Sequence, residues 1–394
     1  MATYTPTLNP SRGLIVEKNP FLKLDVDLVK CVLSSHDEVV IGIGSALKSH
    51  EPGMICTAGE RMEITDHVLQ SEGIDPARYI LIPIEDQGAN AHWVGQSIMV
   101  CPRWDTFYTR NFKNASMFLS HRKARGYNVV QMDQQKPEID YFEDIAAMIR
   151  GEASAVDRVE SYVPESAMVK MQEMGILSRV DTIYNRKRNN EVRCDKVNRI
   201  LFLGGLRPPH GIWSEGNGHL GAIKQCLDGG AQVVIAVGSA QRSDDERCPF
   251  TAGQRIEMMR YAMLSNGVDA TRFYIVPITD IGSNALYEPH LSTLTPAFQR
   301  VSSGNGAVLS IFKSYDPFVL VRSEVAGKAG EALSASLVRK TMYDGLRGVS
   351  SDAVEGLIPT IESRLVGALD PAILGSFKAL KLYHVMHDIA NRTE

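Results

Sequence analysis

Val39-Val40-Ile41-Gly42-Ile43-Gly44-Ser45-Ala46 returns later in the chain as Val233-Val234-Ile235-Ala236-Val237-Gly238-Ser239-Ala240. The offset is 233 − 39 = 194. Thr57-Ala58-Gly59-Glu60-Arg61 returns as Thr251-Ala252-Gly253-Gln254-Arg255 at the same offset. So do Pro83-Ile84-Glu85-Asp86, as Pro277-Ile278-Thr279-Asp280, and Asn90-Ala91-His92-Trp93, as Asn284-Ala285-Leu286-Tyr287. One register held over four separated segments is the mark of a tandem duplication.

Each copy alternates strand and helix. In the second, Arg199–Leu203, Gln232–Val237 and Phe273–Ile278 are short apolar runs rich in β-branched residues, as buried strands are. A helix is expected to start near His219. Another opens at Thr251, where Gln254 three residues on completes a capping box. Ile256, Met259 and Met263 give that helix an apolar stripe, and Gly267 closes it. Strand–helix repetition implies an α/β fold. It predicts two tandem Rossmann-like domains, each a mainly parallel sheet with helices on both faces and its ligand at the carboxyl ends of the strands. The expected division is 1–176, a polar linker at 177–198 around Asn185–Glu191, and 199–394.

Bulk properties narrow the function. Apolar residues are 44% and charged residues 22% of the 394, as in globular chains. The net charge of −4 gives no reason to expect a nucleic-acid surface. No apolar run has transmembrane length, and no basic-then-apolar leader opens the chain. The six cysteines make no C-x-x-C pair, so a metal knuckle is not expected. These features fit a soluble protein of the cytoplasm.

Two motifs point to phosphate chemistry. The first strand of the second copy runs into Gly204-Gly205-Leu206-Arg207-Pro208-Pro209-His210, followed by Asn217-Gly218-His219-Leu220. Glycine admits backbone N–H groups to a phosphate, a helix N-terminus favours its charge, and imidazoles donate to its oxygens. Late in the chain, Leu333-Ser334-Ala335-Ser336-Leu337-Val338-Arg339 combines two hydroxyls and an arginine at a helix start. Each motif alone also reads as an ordinary loop or capped helix.

Together they resemble the α/β nucleotidyltransferase signature, H-x-G-H then S-x-[ST]-x-x-R. Gly238–Gln241, Pro249–Arg255, Pro277–Ile281, Asn284–Leu286 and Leu294–Phe298 narrow the resemblance to archaeal-type nicotinamide-mononucleotide adenylyltransferases, over roughly residues 199–365. That resemblance implies transfer of AMP from ATP, with Mg²⁺, to nicotinamide mononucleotide (NMN), giving NAD and pyrophosphate. It assigns the ATP phosphates to Gly204, His210, Gly218, His219, Ser334, Ser336 and Arg339, with His210, His219 and Arg339 catalytic. It assigns NMN to Arg247, Asn284 and Tyr287. A solvated loop charge is the plainer reading of Arg247, and core packing that of Tyr287. Members of the family are homo-oligomers, so the fused halves are expected to pack as a pseudo-dimer that assembles further. Rival functions are transfer to another phosphate acceptor and a non-catalytic nucleotide sensor.

The chain departs from the family in three places. Gly211–Gly216 are inserted between His210 and Asn217, either as a lid or as a surface insertion. Gly205 stands where the family has arginine, and Arg207, in the place of glutamine, is a candidate substitute. Asp244 replaces a histidine. In the first copy, pairing Pro20 with Pro208 through six inserted residues sets Asp25 against His219. Ser334, Ser336, Arg339 and Arg247 then face Asp140, Phe142, Ile145 and Gly53. Cations and donors are lost at every one of these positions, so the first copy is expected to be degenerate and inactive.

Overall fold

A computed structural model describes residues 5–86, 90–121, 126–132, 139–185, 198–313, 319–322 and 334–392. The first half runs β1 (Arg12–Glu17), α1 (Lys23–Leu33), β2 (Glu38–Ile43), α2 (Ala58–Ser71), β3 (Tyr79–Pro83), α3 (Asn90–Val100), β4 (Thr106–Thr109), α4 (Phe112–His121) and β5 (Asn128–Gln131). Helices α5 (Tyr141–Ile149), α6 (Ala153–Tyr162), α7 (Glu165–Glu173) and α8 (Ile176–Asn185) follow. The second half runs β6 (Arg199–Gly204), α9 (Gly218–Asp228), β7 (Gln232–Val237), α10 (Ala252–Ser265), β8 (Phe273–Pro277), α11 (Asn284–Leu294), β9 (Arg300–Ser303), α12 (Gly306–Phe312) and β10 (Val319–Arg322). It closes with α13 (Ala335–Leu346), α14 (Val354–Leu365), α15 (Pro371–Ala379) and α16 (Leu382–Ala390).

The sheets have strand orders β3-β2-β1-β4-β5 and β10-β9-β6-β7-β8, the same order written from opposite ends. Every pairing is parallel. The central strands β1, β2, β6 and β7 are almost wholly buried, which is why they read as continuous apolar runs. Thr57 and Thr251 cap α2 and α10 with Glu60 and Gln254 in reciprocal capping boxes.

Two sequence expectations need correction. Residues 176–185 form α8, packed on α5 and α7 with Val180 and Asp181 buried, so the expected linker at 177–198 begins inside a helix of the first half. Its remainder, 186–197, lies outside the described residues. Between the first and second strands the second half is also seven residues longer than the first, one more than the proline pairing implied. Arg12 pairs with Glu38 and Arg199 with Gln232. The first strands are thus offset by 199 − 12 = 187 and the second by 232 − 38 = 194, a difference of seven.

The halves meet through reciprocal contacts, as expected of a two-fold arrangement. Arg12 binds Glu257 at 2.7 Å, and Arg199 binds Glu63 at 3.2 Å. Thr279 Oγ1 donates to Glu85, its own equivalent in the other half, at 2.8 Å. At Gly59 a Cβ would lie 1.8 Å from Thr295 O, and at Gly253 a Cβ would lie 1.8 Å from Cys101 O. Both neighbours are backbone atoms, so neither contact admits a side chain. Gly253→Ala is expected to cost on the order of 1–3 kcal/mol or more. Gly356→Ala, inside α14 with open space around it, is expected to be neutral or slightly stabilising. Thermal melts of the two variants check this, and equal midpoints would refute the close approach.

Candidate functional site

The site is built on three consecutive turns at the carboxyl ends of β6, β7 and β8. Gly204 O, at the end of β6, accepts from Gly238 N at 3.1 Å. The chain then reverses through Leu206, with φ +47°, and the turn after β7 passes through Ser239, with φ +51°. These turns aim carbonyls inward, and one buried side chain meets them. Arg255 Nη1 donates to Gly205 O at 2.8 Å and Gly238 O at 2.7 Å, and Nη2 donates to Ser239 O at 3.1 Å. Gln241 and Asp280 then join the turns after β7 and β8 by two hydrogen bonds.

His210 and His219 come together at the start of α9, with ring centroids 3.9 Å apart. Both side chains are largely enclosed, and neither Nδ1 has a hydrogen-bond partner. Burial holds the His210 pKa at about 4. Burial, and then His210 itself, hold that of His219 well below its ordinary value. Gly218 has φ +62°, and a Cβ there would sit 2.6 Å from His210 O. Only glycine allows the two histidines this approach.

Arg339, half-buried on α13, reaches into the same place. Its Nη1 donates to Arg207 O, and its Nη2 to Ser336 Oγ at 3.1 Å. Ser334 Oγ caps α13 by accepting from Leu337 N at 3.2 Å. Arg207 Nη2 donates to Ser239 Oγ. Thus His210, Gly218 and His219 meet one another, and Ser336, Arg339, Arg207 and Ser239 form a second linked group through the turn after β6. Sequence reading gave Ser239 and Arg255 no role, although both lie in the repeated segments; their part as a scaffold for the turns is a matter of three-dimensional contacts.

The acceptor-side candidates are less gathered. Arg247 is exposed on a turn in which Asp245 accepts from its backbone N at 2.8 Å. Asn284 is exposed at the first residue of α11. Tyr287 is half-buried, with its ring edge-on to Phe312 at 6.5 Å. Among the described residues none of these side chains is hydrogen-bonded to the histidine cluster. Asp244 is turned outward, and its carboxylate pairs with Arg392 at 2.5 Å.

The inserted loop is fastened down rather than free over the site. Gly211 N donates to Ala368 O at 2.9 Å and Trp213 N to Asp370 Oδ2 at 3.1 Å, both in the link between α14 and α15. Asn217 Oδ1 holds Ile212 N at 2.7 Å.

In the first half the equivalent places are filled. Asp25 is fully buried and paired with Arg110 at 2.9 Å. Phe142 and Ile145 are fully buried. Asp140 Oδ2 accepts from Tyr184 of α8 at 2.6 Å, and Tyr184 in turn accepts from Gly53 N at 2.7 Å.

Comparison with known proteins finds likeness in the second half. Residues 216–340 match the cytidylyltransferase-like family, a stretch that includes His219 and Arg339. Three similar proteins, all named nicotinamide-nucleotide adenylyltransferase, match the C-terminal half. That of Pyrococcus furiosus is 33% identical over 38% of this chain and 75% of its own. That of Caldivirga maquilingensis is 37% identical over 37% and 78%. That of Pyrobaculum aerophilum is 33% identical over 45% and 91%. The chain therefore belongs to the nicotinamide-nucleotide adenylyltransferase family, a family of nucleotidyltransferases. Among the described residues no helix is long and apolar enough to cross a membrane.

The enclosed histidines make stability depend on pH. Their folded pKa values are depressed, so the native state stays neutral while the unfolded chain takes up protons below about pH 6.5. Stability is expected to fall as pH drops from 7 towards 4, by up to about 1.4 kcal/mol per unit for each histidine. Urea midpoints at pH 7, 6 and 5 should decline less steeply in a His210→Asn, His219→Asn double variant; an identical decline would show that the pair is not held neutral.

Proposed function

We propose that the second half transfers the adenylyl group of ATP to NMN, forming NAD and pyrophosphate. The supporting observation is the enclosed pair His210 and His219, with unpartnered Nδ1 atoms, at the start of α9, three residues along the chain from the Arg207 carbonyl that Arg339 holds. A polyphosphate supplies the negative charge that this cluster of donors lacks.

The ATP phosphates lie against Gly204, Gly218, His210, His219, Ser334, Ser336 and Arg339 in this reading. Mg²⁺ enters as part of the ATP substrate; among the described residues no three His, Cys, Asp or Glu side chains are grouped to hold an ion. NMN takes the side of β8, with Arg247 for its phosphate, Asn284 for the amide and Tyr287 for the ring. The NMN phosphate is ionised and attacks the α-phosphorus in line, so no strong base is needed. The protein's contribution is alignment, and donors that meet the charge gathering on the leaving pyrophosphate. Next to a polyphosphate the histidine pKa values rise, and one imidazole takes up a proton.

The first half binds no ATP in this reading, because Asp25 with Arg110, and Asp140 with Tyr184, stand where the phosphates would. Its contact with the second half gives one chain the pairing of two subunits.

Pyrophosphate release from MgATP is expected to require NMN, and His219→Ala is expected to lower kcat/KM by about 10²-fold or more. Calorimetric titration is expected to find one ATP site per chain, with net proton uptake near pH 6. Absence of release with NMN, but release with another phosphate acceptor, would reassign the reaction. Two ATP sites per chain would overturn the assignment of the first half.

A further inference from the structure

We propose that Asp370, in the link between α14 and α15, is a positioning residue that holds His210 against His219. The inference rests on the function proposed above. Asp370 lies outside residues 216–340, the stretch that matches the cytidylyltransferase-like family. His210 stands in a short span of chain that the C-terminal helices fasten at both ends. Before it, Arg207 O accepts from Arg339 Nη1 of α13. After it, Gly211 N donates to Ala368 O at 2.9 Å, and Gly211 pairs with Leu369 in a single parallel bridge. The carbonyl of His210 accepts from His219 N at 2.9 Å and from Leu220 N at 3.3 Å, so the place of this span decides where the two rings meet. The glycines leave no slack. A Cβ on Gly211 would sit 2.1 Å from Asn217 O, and one on Gly218 would sit 2.6 Å from His210 O.

Asp370 completes the fastening with two acceptors. It is buried, and each carboxylate oxygen has its own amide. Oδ1 accepts from Ala372 N at 3.0 Å and caps α15. Oδ2 accepts from Trp213 N at 3.1 Å. A helix cap needs only one oxygen, so the second is spent on the loop that follows His210. Asn217 Oδ1, on Ile212 N at 2.7 Å, ties the same loop to the residue before α9. Helix α15 packs on α10, whose Arg255 holds the turn after β6. One frame therefore stands behind the turn, the loop and both histidines. Releasing Trp213 N frees the loop to shift, and a misplacement of about 1 Å near the reacting groups costs up to about 10²-fold in rate.

Two variants keep the cap and lose the grip on the loop. Asp370→Asn caps α15 through its one oxygen and turns an amide donor towards Trp213 N, while Asp370→Ser caps it and is too short to reach the loop. Both are expected to lower kcat for NMN-dependent pyrophosphate release about 10-fold or more, with the KM for NMN within about 2-fold of wild type. Proton NMR is expected to show the two imidazoles, which burial keeps neutral in the wild type, taking up protons at higher pH in both variants, as water reaches the loosened pair. Asp269→Ala is the control for lost stability. Asp269 Oδ1 accepts from Thr271 N at 2.8 Å in a cap of the same kind, at the opposite, amino end of β8. That variant is expected to leave kcat and the imidazole titration unchanged. Wild-type kcat in both Asp370 variants overturns the proposal. So does a fall in kcat with an unmoved imidazole titration, or an equal fall in Asp269→Ala. The imidazole titration needs no turnover, so it reads Asp370 even if NAD formation fails and the proposed function falls.

Discussion

A fully buried guanidinium holds the site together. Arg255 is fully buried, and its acceptors are carbonyls: Gly205, Gly238, Ser239 and, at 3.3 Å, Thr251. A strand that ends in a reversed turn leaves carbonyls pointing into the protein, where each unpaired one costs free energy. One planar fork meets several at once, and so fixes the turns after β6 and β7 relative to each other and to α10. The positive φ at Leu206 and Ser239 is sustained by that grip. Burial holds the Arg255 pKa at about 10, so it remains cationic at neutral pH. The first half repeats the device: Arg61 reaches Lys18 O and Gly44 O at 2.7 Å and Ser45 O at 3.0 Å.

On this common scaffold the halves differ in the side chains gathered beside the turns. The second places imidazoles and guanidiniums there, with no carboxylate hydrogen-bonded to them among the described residues. The first closes the space with its own groups: Asp25 against Arg110, and Tyr184 between Asp140 and Gly53. A buried ion pair is stable only when both partners are present, so Asp25 and Arg110 belong together. Helix α8 carries Tyr184, which makes the segment expected to be a linker part of the closure.

The architecture was readable because it is local and repeated. A 194-residue register, period-free apolar strands and a Thr–Gln capping box are visible within short windows, and the described elements follow them. The histidine and serine–arginine motifs were readable for the same reason. What escaped sequence reading depends on distant partners. The inserted loop is held by Ala368 and Asp370, more than 150 residues away, and no window around Gly211 contains them. Tyr184 became a plug through a partner 131 residues off, and the net length difference between the first two strands of each half was settled only by strand register. Tyr287 illustrates the overlap of roles: its ring packs edge-on to Phe312, and sequence alone offers both a ligand and a packing reading.

The backbone-to-backbone approach at Gly59 and Gly253 bears on how such a chain can change over time. A duplicated domain that loses its chemistry is ordinarily free to accumulate substitutions. Here the surface of the first half is the floor beneath α10, and α10 carries the arginine that holds the turns after β6 and β7. A bulkier residue at either glycine would be felt at the phosphate turns some residues away. The two halves are therefore not free to change independently, and deletion of the first would strip the second of a wall rather than of a passenger.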